Sequence, residues 1–348
     1  MVTVTTLVSA PITGVSEANG LNDAGEVVGQ EDLTFPFIWR PNTPNGTTGT
    51  ATRLPILPTG SNPGSATAFS INTSGVVVGF SEGLDAGGNL VSRAVRWTGG
   101  AIQELGTLIP DPASPGSFLG NSRALDINDV GQIVGASDTI LGVEHAFLFD
   151  PAVGFMRDLG ALSPPIPVAS RATSINNNGE IVGVSGAFDP NGSAVDRAFL
   201  LLPNNPLLID LGTLIPDPAT PGGFFGNSGA FGINDHFRII GTSDVNGVGP
   251  SGEQLTGAVT FSNGGAPTSL LPVHSSGYDV GPNNRVVGTF DSPGTGFVFH
   301  SSTGMVDLTA LVATAGMTIT LGTGVNTPGQ LSAMANIGGN AVGVLITP

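Results

Sequence analysis

Apolar residues in this chain come in short runs, each closed by Gly, Pro, Asp or Ser. Residues 124 to 162 show the rule. ALDIN is followed by the tight turn Asp129-Val130-Gly131, and then come QIVGAS, HAFLF and MRDLGAL. Each piece is short, strand-sized and rich in Ile, Val, Leu and Phe. Four such pieces in succession predict one four-stranded antiparallel sheet.

The same pattern recurs along the chain. Aligning on the turn Asn-Asp-x-Gly and the Val-Gly that follows it places the recurring glycine at Gly29, Gly79, Gly135, Gly183, Gly241 and Gly288. The spacings are 50, 56, 48, 58 and 47 residues. A seventh, weaker copy reads GVNTPGQLSA at 324 to 333, with Ala333 in place of the glycine. Third strands are read in FPFIW, RAVRW, EHAFLF, RAFLL, GAVTF, GFVFH and NAVGVLI. Fourth strands are read in TRLPIL, IQELGTL, MRDLGAL, LIDLGTL, TSLLPV and MVDLTAL. The seventh unit has no fourth strand of its own, and VTVTTL at 2 to 7 is the spare strand that would complete it.

Radial repetition of four-stranded sheets is the β-propeller. The expectation is an all-β, seven-bladed propeller spanning 1 to 348 as one domain, closed by the N-terminal strand. Second and third strands are nearly continuous apolar runs, as for strands covered on both faces by neighbouring blades. First-strand positions aligned with Asp126 are small or short: Gly20, Ser70, Asp126, Ser174, Gly232, Asp279 and Gly324. Small residues suit a crowded inner ring.

Composition narrows the partners. Formal charge is −16, and all ten basic residues are Arg. An acidic chain repels phosphate backbones, so nucleic acid is not an expected partner. Without Lys there is no Schiff-base chemistry and no GK[ST] phosphate loop. Without Cys there is no disulfide, thiol nucleophile or thiolate metal site. No apolar stretch has the length of a membrane helix. Residues 1 to 8 do not read as a signal peptide.

The pattern IN-x-x-G-x-VVG with HAFLF and DLGTL resembles the HAF-repeat family, which is bacterial and often secreted. The literal signature occurs once, at His145-Ala146-Phe147. The resemblance implies a propeller-like fold and an extracellular or cell-surface setting. It supplies no catalytic residues.

In a propeller the second-to-third and inter-blade connections share one face, and these are the long ones here. Long loops on one rim of a rigid ring are where binding is expected. Two inter-blade loops are near copies, LIPDPASPGSFLGNSRA at 108 to 124 and LIPDPATPGGFFGNSGA at 214 to 230. Phe118, Phe224 and Phe225 either wall an apolar cup or plug the grooves beside their own blades. Arg123 and Arg171, on adjacent blades near the channel mouth, suit a carboxylate or sulfate; the plainer role is a pair of structural ion bridges. His274, Tyr278 and Asp279 could form an acid/base set at the channel. Against that, Asp126 and Asp279 hold equivalent inner positions that suit an interblade tether. Oxygen-rich loops at Asp85 and Asn89, at Asp189, Asn191 and Asp196, and at Asp244, Asn246 and Glu253 are weak calcium candidates. Their spacing matches no calcium-loop motif, so turn residues are the simpler account. Gly79-Phe80-Ser81-Glu82-Gly83 matches G-x-S-x-G by accident, because Ser81 is the repeat's own serine, shared with Ser137, Ser185 and Ser243.

These observations favour a secreted, monomeric recognition module that binds a small molecule, glycan or protein on the long-loop rim. Two other classes stay open: an enzyme (cyclase, lyase or hydrolase) working at the channel mouth, and a structural or surface-display repeat. No cofactor is called for unless calcium fills the Asp/Asn loops.

Overall fold

The Asn-Asp-x-Gly turn folds the same way wherever it recurs. In the third unit Gly131 donates its N–H to the Asn128 carbonyl, and the Asn128 side chain accepts from the Gln132 N–H at 2.9 Å. Gly131 sits at φ 88°, a region glycine enters without steric cost. A turn this tight can only join antiparallel neighbours. The computed structural model describes residues 2–7, 15–60, 64–248, 254–263, 265–290, 294–314 and 316–348.

The strands make seven four-stranded antiparallel sheets arranged as a seven-bladed propeller. Six blades are contiguous in sequence. Their innermost strands are Ser16–Leu21, Ala66–Ile71, Ser122–Ile127, Ser170–Ile175, Ser228–Ile233 and Ser275–Val280. The seventh blade is composite. Met317–Val325, Leu331–Ile337 and Asn340–Thr347 are completed by Thr3–Thr6, which pairs antiparallel to the last strand with Thr3 opposite Thr347.

The core is divided into seven apolar clusters, one between each pair of adjacent blades. This explains the unbroken apolar runs. Val27 faces the seventh blade and Val28 the second, and Ile133 and Val134 divide in the same way. Successive side chains leave opposite faces of a strand, and here both faces are interior.

Each innermost strand carries a β-bulge. In the third blade Ala124 pairs with Gly135 and Asp126 with Val134, so Leu125 is squeezed out of the ladder. The residues extruded in this way are Asn19, Phe69, Leu125, Thr173, Phe231, Tyr278 and Thr323. The bulge also accounts for the recurring glycine, which lies within the second strand. A Cβ on Gly135 would stand 2.0 Å from the Arg123 carbonyl oxygen, and the other five positions are as tight, at 1.8 to 2.1 Å. The seventh blade shifts register twice and sets Gly322 opposite Ala333, so its glycine has moved to the facing strand.

Side chains tie the blades together. Asn22, Asn72, Asn128, Asn176 and Asn234 each donate Nδ2 to a backbone carbonyl in the turn of the next blade. Asn326 closes the ring onto the Asn22 carbonyl at 3.1 Å. The sixth blade has Gly281 at this place, and Asn283 bonds the Thr327 carbonyl instead. The repeat serines Ser81, Ser137, Ser185 and Ser243 accept a backbone N–H from Leu57, Leu108, Leu162 and Leu214 of the preceding linkers. Ser81 is fully buried within a strand, which disposes of the nucleophile-elbow match.

Several fourth strands are shorter than the sequence suggested. The fourth ends at Asp210 and the third at Asp158. In both, the Asp side chain accepts the N–H of the glycine two residues on, Gly212 or Gly160, and that glycine takes positive φ. DLG is therefore a strand-ending turn. MVDLTAL ends differently again: Asp307 caps a one-turn helix, Leu308–Val312, by accepting from Thr309 and Ala310 N–H. Among the described residues no helix is long and apolar enough to cross a membrane.

Candidate functional site

The extruded residues meet at the centre of the ring. They line a cavity of about 320 Å3 that opens among the Asn-Asp-x-Gly turns, on the face opposite the long loops. Its wall combines Phe69, Phe231, Tyr278 and Leu125 with Asn19, Thr173 and Thr323. Phe231 and Tyr278 stack, with ring centroids 5.7 Å apart and planes 25° from parallel. Five carboxylic acids line the cavity, Asp23, Asp126, Asp129, Asp235 and Asp279, and no basic residue does.

The two inner carboxylates differ because their neighbours differ. Asp126 is flanked in the ring by Ser70 and Ser174. It accepts from both hydroxyls, at 2.7 and 3.0 Å, and from the N–H groups of Ile127 and Ile175 at 2.9 Å. Four donors fill its carboxylate and tether three blades. Asp279 is flanked by Gly232 and Gly324, which offer no hydroxyl. Its donors are the N–H of Val325, at 3.0 Å, and that of Val280. Loss of solvent pushes its carboxyl up to about 6, and the charge of Asp126 adds to the rise; the two backbone donors offset only part of it. Burial also raises Asp126, against its four hydrogen bonds.

The acid/base set proposed from sequence does not assemble. Tyr278 and Asp279 line the cavity, whereas His274 precedes the same strand at its other end, roughly 15 Å along at about 3.3 Å per residue. There it holds φ 64° and donates its N–H to the Thr256 carbonyl.

The other candidates lie toward the long-loop face. Arg123 pairs with Glu144 of its own blade at 2.5 Å, the structural alternative. Arg171 is exposed and makes no ion pair among the described residues, so the two do not form a fork for one anion. Phe118 and Phe224 lie against Gly106 and Gly212 of their own blades and bridge to Pro110 and Pro216, each plugging its own loop. Phe225 is half-buried and donates its N–H to the Ile215 carbonyl.

Sequence reasoning missed what holds these loops. Arg93 and Arg197 are buried in the third strands and donate to the carbonyls of Phe118 and Gly120, and of Phe224 and Gly226. Their charges face Glu104 at 2.8 Å and Asp210 at 3.7 Å. The signal was present in RAVRW and RAFLL, which place an Arg-Ala pair where the third blade has His145-Ala146. His145 bonds Asp158 at 3.0 Å and binds no loop carbonyl.

Three of the calcium candidates accept hydrogen bonds from neighbouring loop residues. Asp85 accepts from Asn89, Asp189 from the N–H groups of Asn191 and Ser193, and Asp244 from Asn227. The Asp196 N–H donates to the Asn227 side chain. Asn246 lies exposed in a strand, and Glu253 falls outside the described residues. Among the described residues no three His, Asp or Glu side chains converge as metal ligands would.

Comparison with known proteins corrects the family expected from the repeat. The family model that matches, over residues 36–216, is described as a protein of unknown function (DUF3466), and no HAF-repeat model matches. No curated protein matches the chain. Among solved structures, virginiamycin B lyase from Staphylococcus aureus is similar at 14% identity, covering 100% of this chain and 99% of its own, with a TM-score of 0.50. A gluconolactonase from Xanthomonas campestris is similar at 14% identity, covering 85% of this chain and 86% of its own, with a TM-score of 0.36. At its identity the likeness to the lyase concerns the fold alone.

Proposed function

The chain belongs to the DUF3466 family, which carries no assigned function, and we propose that it is a recognition propeller. Its ligand is a small polar molecule, neutral or cationic, taken into the mouth of the central channel on the short-turn face. The observation that carries this reading is the pairing of an incompletely bonded carboxylate, Asp279, with the Phe231–Tyr278 stack in a wall that holds no basic group. An aromatic face accepts the apolar face of a sugar ring or an organic ammonium, and a carboxylate accepts the hydroxyl or N–H beside it. Binding is favoured over turnover because Asp126 is saturated and His274 stands at the far end of the strand.

The test is a thermal-shift and calorimetric panel of soluble saccharides and small amines, with anionic analogues as controls. A neutral or cationic ligand should raise the midpoint, and Tyr278→Ala should weaken it about tenfold. Silence from both classes, or binding that survives Tyr278→Ala unchanged, defeats the reading.

Asp279 also makes a prediction independent of any ligand. Its folded pKa is raised, so its favourable contribution is complete below the unfolded value near 4 and is lost as pH rises through about 6. Asp279→Asn should be more stable than wild type at pH 7, by on the order of 2 to 3 kcal/mol, with the gain shrinking toward pH 4. Urea unfolding of both proteins between pH 4 and 8 measures it. Parallel stability curves would contradict the assigned titration.

One observation favours a second reading, a protein partner on the long-loop rim. Leu84, Leu90, Ile140, Leu141 and Phe188 are exposed at the second-to-third connections of three consecutive blades, Ile140 at 84%. Native protein should then bind a hydrophobic dye at this rim, and Ile140→Asp with Leu141→Asp should cut the signal several-fold. An unchanged signal would remove the patch from consideration.

A further inference from the structure

We propose a second binding site, for a small apolar monocarboxylate, in the groove between the third and fourth blades. This inference is independent of the channel reading and concerns a ligand of opposite charge.

The groove encloses about 400 Å3 and opens on the short-turn face, where it shares Asn177 with the lining of the channel mouth. Its depth is apolar, built from Leu148, Ile181 and Leu201. Its lip carries Val153 and Phe155, exposed at 56% and 62%. A volume of this size lies in the range of small-molecule sites.

The groove's basic residue is Arg157. It stands directly opposite Leu148 in the strand pair, and paired side chains leave the same face of a sheet. Their neighbours Phe149 and Met156 go to the opposite face and pack against the second blade. Arg157 makes no ion pair and no side-chain hydrogen bond among the described residues, in a chain with 26 acids and ten arginines. Arg40, Arg53, Arg93, Arg123 and Arg197 all pair with carboxylates. The carboxylate in the lining, Asp150, is occupied by its own turn and by Gln132: it accepts from the Ala152 N–H at 2.9 Å and from Gln132 Nε2 at 3.3 Å.

An open guanidinium over an apolar trough selects a carboxylate joined to a hydrocarbon. The planar fork takes both carboxylate oxygens, and the tail displaces water from Leu148, Ile181 and Leu201. An ammonium head meets Arg157 with like charge, and an alcohol forgoes the ionic pair. Two neighbouring sites on one face thus sort ligands by charge.

Octanoate, below its micellar range, is the probe, with octanol and octylammonium as controls. Calorimetry or ligand-observed NMR is run on wild type, Arg157→Gln and Asp279→Asn. Octanoate should bind wild type, lose about tenfold or more in Arg157→Gln, and bind Asp279→Asn as it binds wild type. Because Arg157 is exposed, Arg157→Gln should keep the wild-type melting midpoint. The proposal is overturned by no octanoate binding at millimolar concentration, by equal binding to Arg157→Gln, or by octanol binding as well as octanoate. Loss of binding in Asp279→Asn alone would move the ligand to the channel and overturn the groove site as well.

Discussion

Gly135→Ala is expected to destabilise the protein by about 3 kcal/mol or more. The added Cβ would stand 2.0 Å from the Arg123 carbonyl oxygen, a backbone atom held by the bulge and unable to swing aside. Relief requires moving the innermost strand, which packs against two blades. Gly142→Ala provides the contrast: its φ is 76°, but nothing lies within 4 Å of the added carbon. That variant should cost only about 1 kcal/mol, from backbone conformation alone. Urea unfolding of both with comparable m-values decides the matter. A Gly135→Ala protein as stable as Gly142→Ala would mean that the bulge is soft and the glycine dispensable.

Removing residues 1–7 should be as severe. Thr3–Thr6 is the outer strand of the seventh blade, and Leu7 is buried against the first blade beside Phe37 and Trp39. Without them Asn340–Thr347 becomes a free edge whose Val344, Leu345 and Ile346 lose their cover. The thermal midpoint should fall by on the order of 10 °C, and the exposed edge should promote association. A peptide of residues 1–7 added at excess should restore part of the loss by mass action. Calorimetry with light scattering checks both statements, and a truncated protein that melts within about 2 °C of wild type would contradict them.

The blades were legible because their signals are local. A glycine in an Asn-Asp-x-Gly turn, followed by apolar runs of strand length, needs no knowledge of the rest of the chain, and seven repetitions imply a ring. The N-terminal strand followed from counting, since the seventh unit was one strand short. The channel was not legible. Asn19, Phe69, Leu125, Thr173, Phe231, Tyr278 and Thr323 share no chemical type, and only the hydrogen-bond register singles them out. The fourth strands misled for a related reason. DLGTL looks apolar enough for a strand, but the Asp side chain bonding its own backbone two residues later ends it.

The loops misled in another way. Length and aromatic content in 108 to 124 and 214 to 230 pointed to an open cup, but the buried guanidinium groups of Arg93 and Arg197 draw each loop onto its own blade. Removing either arginine would take a donor from two loop carbonyls at once.

The bulges also bear on how such a ring can change. The residue extruded from each ladder has no cross-strand partner, and the turn, the recurring glycine and the inter-blade amides supply most of the ties, although Asn19 and Thr173 also donate to the Ala68 and Ala230 carbonyls of the next blade. Each blade therefore presents one position facing the axis, and outside the blades of Asn19 and Thr173 its identity is less tightly bound to the neighbouring blade. Seven such positions, one per blade, allow the lining of the channel to be rewritten residue by residue on an unaltered frame. Divergence among proteins built on this frame should accordingly concentrate at the extruded positions, and ligand preference should drift faster than stability.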